Sequence, residues 1–286
     1  MKWLIALLLA AALYPVFVVY RQSLGHHRPM TRTPTAWGAA YEDIAYRTDD
    51  GVTLRGWWVP AASDRAVLLL HGKGGDRDGE DSGIFELGRR YRQAGYTVML
   101  VDMRAHGESG GRLVGFGIRE RDDLLGWLEA VDPGHRYRWV VHGFSMGAVT
   151  ALMMKEKAPD RIGAVVADAP WIDFAHLVRR ELWKRAYLPD WSYPYIRWVA
   201  RTLYGIDFDE ADNRHRVGAL CGREVLYIFE KEDALLDAAH LRALRRACPS
   251  AEVRTMAGDH IEAFRSDPEG YVSEVFAWLS SKGGLR

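Results

Sequence analysis

A serine in the segment Gly143-Phe-Ser-Met-Gly147 is positioned to act as a nucleophile. An apolar run from Trp139 to Val141 precedes it and a small-residue helical pattern follows, which predicts a strand, a tight turn and a helix with Ser145 at the apex. The glycines at 143 and 147 permit the strained backbone and the close approach of strand to helix that such a turn needs. The same turn points the N–H of Met146 at an oxyanion formed beside the serine.

A serine becomes strongly nucleophilic when a base removes its proton and a carboxylate holds that base in the correct tautomer. His260 follows the last predicted strand and Asp233 follows the strand before it. Both therefore lie in loops at the sheet edge from which Ser145 emerges, and we predict a triad of these three residues. Three other carboxylates near this edge are alternatives for the acid: Asp168, Glu230 and Glu232.

The segment His71-Gly-Lys-Gly-Gly75 follows another buried-strand pattern. Its glycines let the main chain approach a substrate carbonyl, so we predict that the N–H of Lys73 completes an oxyanion hole with that of Met146. His71 is then structural, and His106 is expected to fix a neighbouring loop by hydrogen bonding. The segment lacks the Gly-Lys-Ser/Thr ending of a phosphate-binding loop, which argues against nucleotide binding.

Short apolar runs alternate with longer amphipathic stretches from residue 41 onward. This alternation predicts an α/β fold, with a mostly parallel sheet of about eight strands covered by helices on both faces. The predicted strands are 43–48, 52–60, 66–70, 96–101, 138–141, 164–167, 224–229 and 252–256. The predicted helices lie near 81–94, 119–131, 146–157, 234–247 and 269–281.

One interval, about residues 171–216, breaks the alternation and is rich in aromatic residues and arginine. A connection of this length inside a compact domain usually has its own structure or function. We predict a small, mostly helical cap over the carboxyl ends of the strands, where ligands bind in open α/β sheets. Its aromatic side chains either pack the cap or select the substrate, and the candidates for substrate contact are Trp171, Trp183 and Trp191.

The N-terminal segment from Trp3 to Tyr20 carries no charge, and as a helix it would reach about 27 Å, just enough to span a hydrocarbon core. We predict a transmembrane anchor or signal at residues 1–21, the alternatives to an uncleaved anchor being a cleaved signal peptide and a buried core helix. Residues 22–40 are polar and contain proline, which predicts a linker to a domain at 41–282. The flanking basic residues favour opposite orientations, so the side of the membrane stays open.

The composition gives no sign of a nucleic-acid partner, because acidic and basic residues balance at 38 each. Cys221 and Cys248 have no metal-ligand spacing, and we expect two free structural thiols, with a single disulfide as the alternative. No motif indicates a metal or a cofactor, and none is expected. The oligomeric state is not indicated by the sequence.

Five motifs follow one another along residues 40–282: His71-Gly-x-Gly, Asp102-x-Arg-x-His-Gly-x-Ser109, Gly143-Phe-Ser-Met-Gly147, Glu230-x-x-Asp233 and Gly258-Asp-His260. In this order they resemble the signatures of the α/β-hydrolase superfamily, in particular its N-terminally membrane-anchored, small-cap serine hydrolases of bacterial type. The resemblance implies the α/β-hydrolase fold, the Ser-His-Asp triad, an acyl-enzyme intermediate and no metal. The chain departs from this pattern at Phe229-Glu230, where relatives usually carry His-Gly, and the departure puts the turn that holds Asp233 in doubt.

These features predict a serine hydrolase that cleaves carboxylic ester or thioester bonds of small molecules by way of an acyl-enzyme. The aromatic cap and the membrane segment favour apolar acyl substrates. Two alternatives stay open. One is a serine peptidase of the same fold, and the other is a non-catalytic, membrane-tethered binding protein that keeps the fold.

Overall fold

The computed structural model describes residues 1–282 and contains an eight-stranded sheet. The strands are β1 (Glu42–Arg47), β2 (Thr53–Val59), β3 (Arg65–Leu70), β4 (Thr97–Asp102), β5 (Arg138–Phe144), β6 (Ile162–Asp168), β7 (Val225–Glu230) and β8 (Glu252–Met256). Their spatial order is β1-β2-β4-β3-β5-β6-β7-β8. β2 is antiparallel to both β1 and β4, and the remaining neighbours are parallel, so the predicted mostly parallel sheet is confirmed.

Helices cover both faces of the sheet. They are α1 (Lys2–Ser23), α2 (Ile84–Gln93), α3 (Ile118–Val131), α4 (Met146–Lys157), α5 (Phe174–Ala186), α6 (Tyr193–Tyr204), α7 (Phe208–Ala211), α8 (Arg214–Ala219), α9 (Ala238–Ala247), α10 (Ala263–Ser266) and α11 (Pro268–Ser281), with 3₁₀ turns at Pro34–Trp37 and Asp190–Ser192. In β3, Leu68 and Leu70 face a core shared with α3 and α4, whereas Val67 and Leu69 face a second core shared with α2 and α11. Burial on both faces explains why the central strands read as continuous apolar runs.

The predicted cap interval between β6 and β7 is mostly helical. It contains α5, α6, α7 and α8, and all of it lies within the described residues. An N-cap begins α5, where the Asp173 side chain accepts a hydrogen bond from the His176 N–H, and Gly205 in the left-handed region ends α6. The cap therefore has its own capped helices rather than being an irregular loop.

The N-terminal segment forms α1, and the two halves of this helix differ in exposure. Side chains of the first half are apolar and exposed, among them Trp3 and Leu13, whereas Pro15, Val18 and Val19 of the second half are buried against the domain. By length and composition, α1 is the helix within residues 1–282 that could cross a membrane. Its second half packs against α6 of the cap.

The predicted linker at residues 22–40 is bound to the domain along much of its length. Leu24 forms a β-bridge with Leu113, and Arg28 forms an ion pair with the buried carboxylate of Asp76. These partners are far apart in the sequence, and the polar composition of the segment predicted a linker without indicating them. The segment therefore fixes α1 to the domain that contains the sheet.

A disulfide joins Cys221 and Cys248, so the prediction of two free thiols is wrong. Cys221 follows α8 and Cys248 ends α9, and the packing of these two helices brings the Cα atoms within 5.4 Å. The pairing arises from helix packing over a separation of 27 residues. The spacing in the sequence carries no mark of it.

Candidate active site

Ser145 occupies a sharp turn between the end of β5 and the start of α4. Its φ of 51° and ψ of −111° are strained for a residue with a side chain. A Cβ on Gly143 would lie 2.2 Å from the Gly147 carbonyl oxygen, and a Cβ on Gly147 would lie 2.4 Å from the Leu70 carbonyl oxygen. Only glycine fits at either position, and these two glycines allow the close approach that lifts the serine hydroxyl out of the sheet.

Two further side chains form a hydrogen-bonded chain with Ser145. His260 follows β8, and its Nε2 lies 2.8 Å from Ser145 Oγ. Asp233 follows β7, and its Oδ2 lies 2.7 Å from His260 Nδ1. An ionised carboxylate only accepts, so Nδ1 carries the proton and Nε2 presents its lone pair to the serine hydroxyl. The fold thus brings the three predicted residues together in the arrangement of nucleophile, base and orienting acid.

Backbone groups fix the Asp233 carboxylate. Its Oδ1 accepts hydrogen bonds from the N–H groups of Leu235 and Leu236 at 2.7 and 2.6 Å, and its side chain is buried. Asp259 links the acid loop to the base loop, because its Oδ1 accepts one backbone N–H from each loop. The oxygen of Asp233 that does not face the imidazole is therefore satisfied, and the orientation of the carboxylate is set.

None of the three alternative acids hydrogen bonds to His260 in the described part of the chain. Asp168 ends β6, and its Oδ2 accepts from the Tyr271 hydroxyl at 2.6 Å. Glu230 ends β7 and hydrogen bonds to Asp168. Glu232 is exposed and accepts a backbone N–H of the base loop at 2.8 Å. Asp233 is thus the carboxylate that faces the base.

Asp168 and Glu230 form a buried carboxyl–carboxylate pair. Within residues 1–282, no N–H or hydroxyl donates to either oxygen of Glu230 or to Oδ1 of Asp168. A hydrogen bond between the two groups therefore needs a proton on one of them. Burial and then the negative charge of Asp168 raise the pKa of Glu230 to about 11. Since Asp168 accepts from Tyr271, we assign the proton to Glu230 at neutral pH.

The departure from the family pattern at Phe229-Glu230 does not disturb the Asp233 turn. Glu230 ends a regular strand and does not have a positive φ, so its backbone has no need of glycine. Asp233 still meets His260 at 2.7 Å. The side chain that replaces the glycine is accommodated by its hydrogen bond with Asp168.

The start of α4 and the loop that carries Lys73, the two segments predicted to form an oxyanion hole, both lie beside the serine. Met146 is the first residue of α4, where a helix leaves its N–H without an intrahelical acceptor. The loop that carries Lys73 passes close by, since a Cβ on Gly72 would lie 3.4 Å from the Ser145 Cβ. This arrangement is compatible with donation of both N–H groups to an oxyanion beside Ser145.

Buried histidines hold the Lys73 loop in position. His71 accepts a backbone N–H at Nε2 (3.0 Å) and donates from Nδ1 to the Gly72 carbonyl at 2.7 Å. His106 accepts the Gly74 N–H at Nε2, also at 3.0 Å. Burial lowers the pKa of His71 to about 4 and that of His106 to about 2, so both rings are neutral. Their contacts are those of loop supports, in agreement with the structural roles predicted for them.

An apolar cavity of about 290 Å³ opens beside the serine. Ser145 and His260 form part of its wall, and most of the remaining wall is aliphatic or aromatic. The side chains from the core and the cap that line it include Phe116, Trp171, Phe174, Leu177, Ile196 and Leu235. A cavity of this size and character suits an apolar group attached to the bond under attack.

The three tryptophans predicted to contact substrate lie in different places. Trp171 lines the cavity, and its indole N–H donates to the Ala211 carbonyl at 2.9 Å. Trp183 and Trp191 do not line it, and their exposed fractions are 62% and 81%. In α5 the helical period that turns Leu182 inward turns Trp183 outward. The structure therefore brings one of the three candidates to the site.

No sequence motif marks the other cavity residues. Phe116 lies in the loop before α3 with a positive φ of 52°, and nothing in its sequence neighbours distinguishes it from a core aromatic. Val18 and Val19 reach the cavity from the predicted anchor. An apolar side chain that faces a cavity has the same sequence signal as one that faces the core, so only the fold separates them.

One cluster of possible metal ligands lies outside the triad, formed by His176, Asp237 and His240. His240 Nδ1 accepts the Ile172 N–H at 3.1 Å, so the neutral ring carries its proton on Nε2. His176 Nε2 and Asp237 Oδ2 already hydrogen bond to each other at 3.0 Å. A protonated Nε2 cannot bind an ion, and the cluster does not suit a metal.

Solved structures with the same fold include esterases. The structure of the esterase Pf2001 from Pyrococcus furiosus superposes with a TM-score of 0.73 at 26% identity, covering 90% of this chain and 98% of that chain. The haloalkane dehalogenase DatA from Agrobacterium tumefaciens C58 has a TM-score of 0.60 at 16% identity, covering 87% of this chain and 99% of that one. At that identity the second likeness shows the fold alone.

Sequence relatives match over shorter regions. The uncharacterized protein YqkD of Bacillus subtilis is 26% identical over 193 residues, which cover 65% of this chain and 63% of that protein. A thermostable monoacylglycerol lipase of Bacillus sp. (strain H-257) is 32% identical over 111 residues, covering 36% of this chain and 40% of the lipase. The chain thus spans less than two thirds of the length of the curated relatives it matches.

The profile of the α/β hydrolase fold family matches residues 65–209, about half of the 286 residues. This region carries the nucleophile turn and the Lys73 loop, and the acid and base follow it on the next two strands. The sheet order, the turn at Ser145 and the sequence match agree with one another. The chain therefore belongs to the α/β hydrolase fold family.

Proposed function

We propose that this protein is a serine hydrolase that cleaves carboxylic ester or thioester bonds of small molecules with an apolar acyl group. The observation that carries the proposal is the hydrogen-bonded chain of Ser145, His260 and Asp233, whose serine opens into an apolar cavity. An esterase and a monoacylglycerol lipase among the similar proteins favour the same reaction.

Acylation begins when His260 Nε2 takes the proton of Ser145 as Oγ attacks the acyl carbon. Asp233 holds Nδ1–H and stabilises the imidazolium that forms. The N–H groups of Met146 and Lys73 donate to the oxyanion of the tetrahedral intermediate, and each is expected to contribute about 10²–10³-fold to the rate. The imidazolium then protonates the leaving alcohol or thiol, and the acyl group stays on Ser145 Oγ.

Deacylation repeats these steps with water as the nucleophile. His260 Nε2 takes a proton from the water as its oxygen attacks the acyl carbon of the serine ester. The second tetrahedral intermediate collapses, the proton returns to Ser145 Oγ, and the carboxylic acid leaves. No other group is needed for the proton balance.

A Ser145→Ala variant tests the proposal, because alanine removes Oγ and fills nearly the same space. Hydrolysis of p-nitrophenyl butyrate should fall on the order of 10⁶-fold in kcat, in practice to the detection limit. Labelling by a fluorophosphonate probe should disappear in the same variant. Ser281→Ala, in the last turn of α11, is the control and should keep both signals.

Retention of full esterase activity by Ser145→Ala would end the proposal. A folded wild-type protein that neither labels nor hydrolyses any ester would favour the non-catalytic binding protein. Faster cleavage of aminoacyl naphthylamides than of esters would favour the peptidase.

We further propose that α1 anchors the protein in a membrane. Most side chains from Lys2 to Tyr14 are exposed, and this half reaches only about 20 Å against about 30 Å of hydrocarbon. The exposed half therefore enters the bilayer, and the half that packs on the cap brings the cap to the membrane interface. Exposed Trp183, Trp191 and Trp198 on the cap are of the type enriched at that depth.

The Cys221–Cys248 disulfide supports a location of the catalytic domain on the oxidising side of the membrane, since disulfides persist in such compartments. Membranes washed with carbonate should retain the protein, and thiol alkylation without reductant should leave both cysteines unmodified. Release by carbonate contradicts the anchor, and alkylation of both thiols in folded protein contradicts the oxidising side.

A further inference from the structure

The second half of α1 forms part of the wall of the cavity that contains Ser145. Val18, Val19, Gln22 and Ser23 line this cavity together with the serine. The two valines keep only 7% and 6% of their surface exposed. Residues four apart share a helix face, so Val18 with Gln22 and Val19 with Ser23 form two adjacent rows on that wall. The helix proposed as an anchor thus supplies side chains to the substrate site.

Hydrogen bonds fix this half of α1 to the cap and to the core. The Tyr204 hydroxyl donates to the Val16 carbonyl at 3.3 Å, and just before this half the Tyr14 hydroxyl donates to the Ala186 carbonyl at 2.9 Å. At the other end, the Ser23 carbonyl accepts the Val114 N–H at 2.8 Å. The helix is held at both ends of its buried half, so its side chains keep a defined position in the wall.

Cap helices complete this part of the cavity with small and aliphatic side chains. Leu182 and Ala186 of α5 and Ile196 and Ala200 of α6 line the same space as the two valines. All six side chains belong to one apolar cluster. The side chains of α1, α5 and α6 that line this space set its volume. One added aromatic ring would fill much of a cavity of about 290 Å³.

We propose that Val18 and Val19 determine the length of the acyl chain that the site accepts. The inference rests on the proposed function, since it assigns the α1 end of the cavity to the acyl group attacked by Ser145. Neither valine belongs to the hydrogen-bonded triad, so replacing them changes the shape of the cavity and leaves the catalytic groups in place. Cleavage of α1 as a signal peptide would remove this wall, so the proposal requires that the helix is retained in the active protein.

Two variants of the full-length protein in detergent test the wall from opposite directions. Val19→Trp fills the cavity, and the double variant Val18→Ala/Val19→Ala enlarges it. The measurement is kcat/KM on p-nitrophenyl esters from acetyl to palmitoyl. Relative to its own kcat/KM on the acetyl ester, we expect Val19→Trp to lose about 10-fold or more on acyl chains of eight carbons or longer. We expect the alanine pair to shift the optimum to longer chains.

Leu13→Trp is the matched control, because it adds the same ring to the exposed half of the same helix. Its chain-length profile should equal that of the wild type. Acetyl-ester hydrolysis and fluorophosphonate labelling report on the triad separately from the wall. If the variants are labelled by the probe and cleave acetyl esters but keep the wild-type chain-length profile, the inference about Val18 and Val19 is wrong. The proposed serine hydrolase activity is not affected by that outcome. If Val19→Trp does not fold, the alanine pair decides alone, since an unchanged optimum overturns the inference and a longer optimum supports it.

Discussion

Two groups of carboxyls lie close together at the ends of β6 and β7, and they differ in the donors around them. The Asp233 carboxylate accepts three hydrogen bonds, one from His260 Nδ1 and two from backbone N–H groups. Within residues 1–282, the pair of Asp168 and Glu230 receives one hydrogen bond from outside, from the Tyr271 hydroxyl. Both groups are buried, so burial alone does not set their roles.

The difference shows that nearby donors decide which buried carboxyl can act as an anion. Three donors hold the Asp233 carboxyl against the imidazole, in the position that the proposed mechanism requires for stabilising the imidazolium. Glu230 has no such donors, and burial next to Asp168 keeps it protonated. A carboxyl in its position therefore could not perform the task proposed for Asp233, although only two residues separate them in the sequence. The backbone after β7 matters as much as the choice of residue.

Between the two groups of carboxyls, the larger expected effect follows from replacing Asp233 by asparagine. The amide is nearly the same size, but it favours the wrong imidazole tautomer and does not stabilise the imidazolium. We expect kcat on p-nitrophenyl butyrate to fall about 10⁴-fold. Steady-state kinetics on the purified protein measure this loss, and a circular dichroism spectrum like that of the wild type shows that the variant is folded.

Glu232→Gln is the matched control for this change. Glu232 is exposed and accepts a backbone N–H through its carboxyl, and the glutamine carbonyl can accept the same bond. Its kcat should stay close to that of the wild type. An Asp233→Asn protein within about 10-fold of the wild type, which is about 1.4 kcal/mol of barrier, would remove Asp233 from the triad.

The sheet and its helices are predictable from the sequence because their signal is local. All eight predicted strands form, with ends displaced by a few residues. Continuous apolar runs predict the central strands, since a strand buried on both faces must be apolar throughout, whereas β1 and β8 are partly exposed and contain polar residues. β5 is longer than predicted and ends at Phe144, directly before Ser145. That end is set by pairing with β6 rather than by the composition of β5 itself.

The placement of the three proposed triad residues is predictable for the same reason, and the shape of the cavity is not. Ser145, Asp233 and His260 each follow a strand, and parallel strands bring their ends to one edge. The wall that α1 forms, the disulfide of Cys221 and Cys248, and the outward direction of Trp183 depend on packing between segments far apart in the chain. An apolar residue carries no sign of which distant surface it will meet.

A smaller effect should follow from Glu230→Gln, which replaces the protonated partner of Asp168 by a permanent donor. The pKa of Glu230 is raised from an ordinary value of 4.5 to about 11, so the folded chain keeps a proton that the unfolded chain loses. The wild-type free energy of unfolding therefore falls as the pH rises above about 4.5, and the amide removes this loss. We expect the variant to match the wild type near pH 5 and to melt at least about 2–4 °C higher at pH 9, a shift that corresponds to about 1 kcal/mol for a chain of this size.

Thermal unfolding of both proteins between pH 5 and pH 9 measures how the difference in melting temperature changes with pH. Whether that difference rises or falls with pH tells a protonated Glu230 from an ionised one. If Glu230 were ionised like Asp233, the amide would remove a stabilised charge and the variant would melt lower at every pH above 5. Glu232→Gln makes the same chemical change at an exposed residue outside the pair. The difference between its melting temperature and that of the wild type should be the same at every pH. A Glu230→Gln protein that melts lower than the wild type at pH 9 would show that donors are not what distinguishes the two carboxyls at this sheet edge.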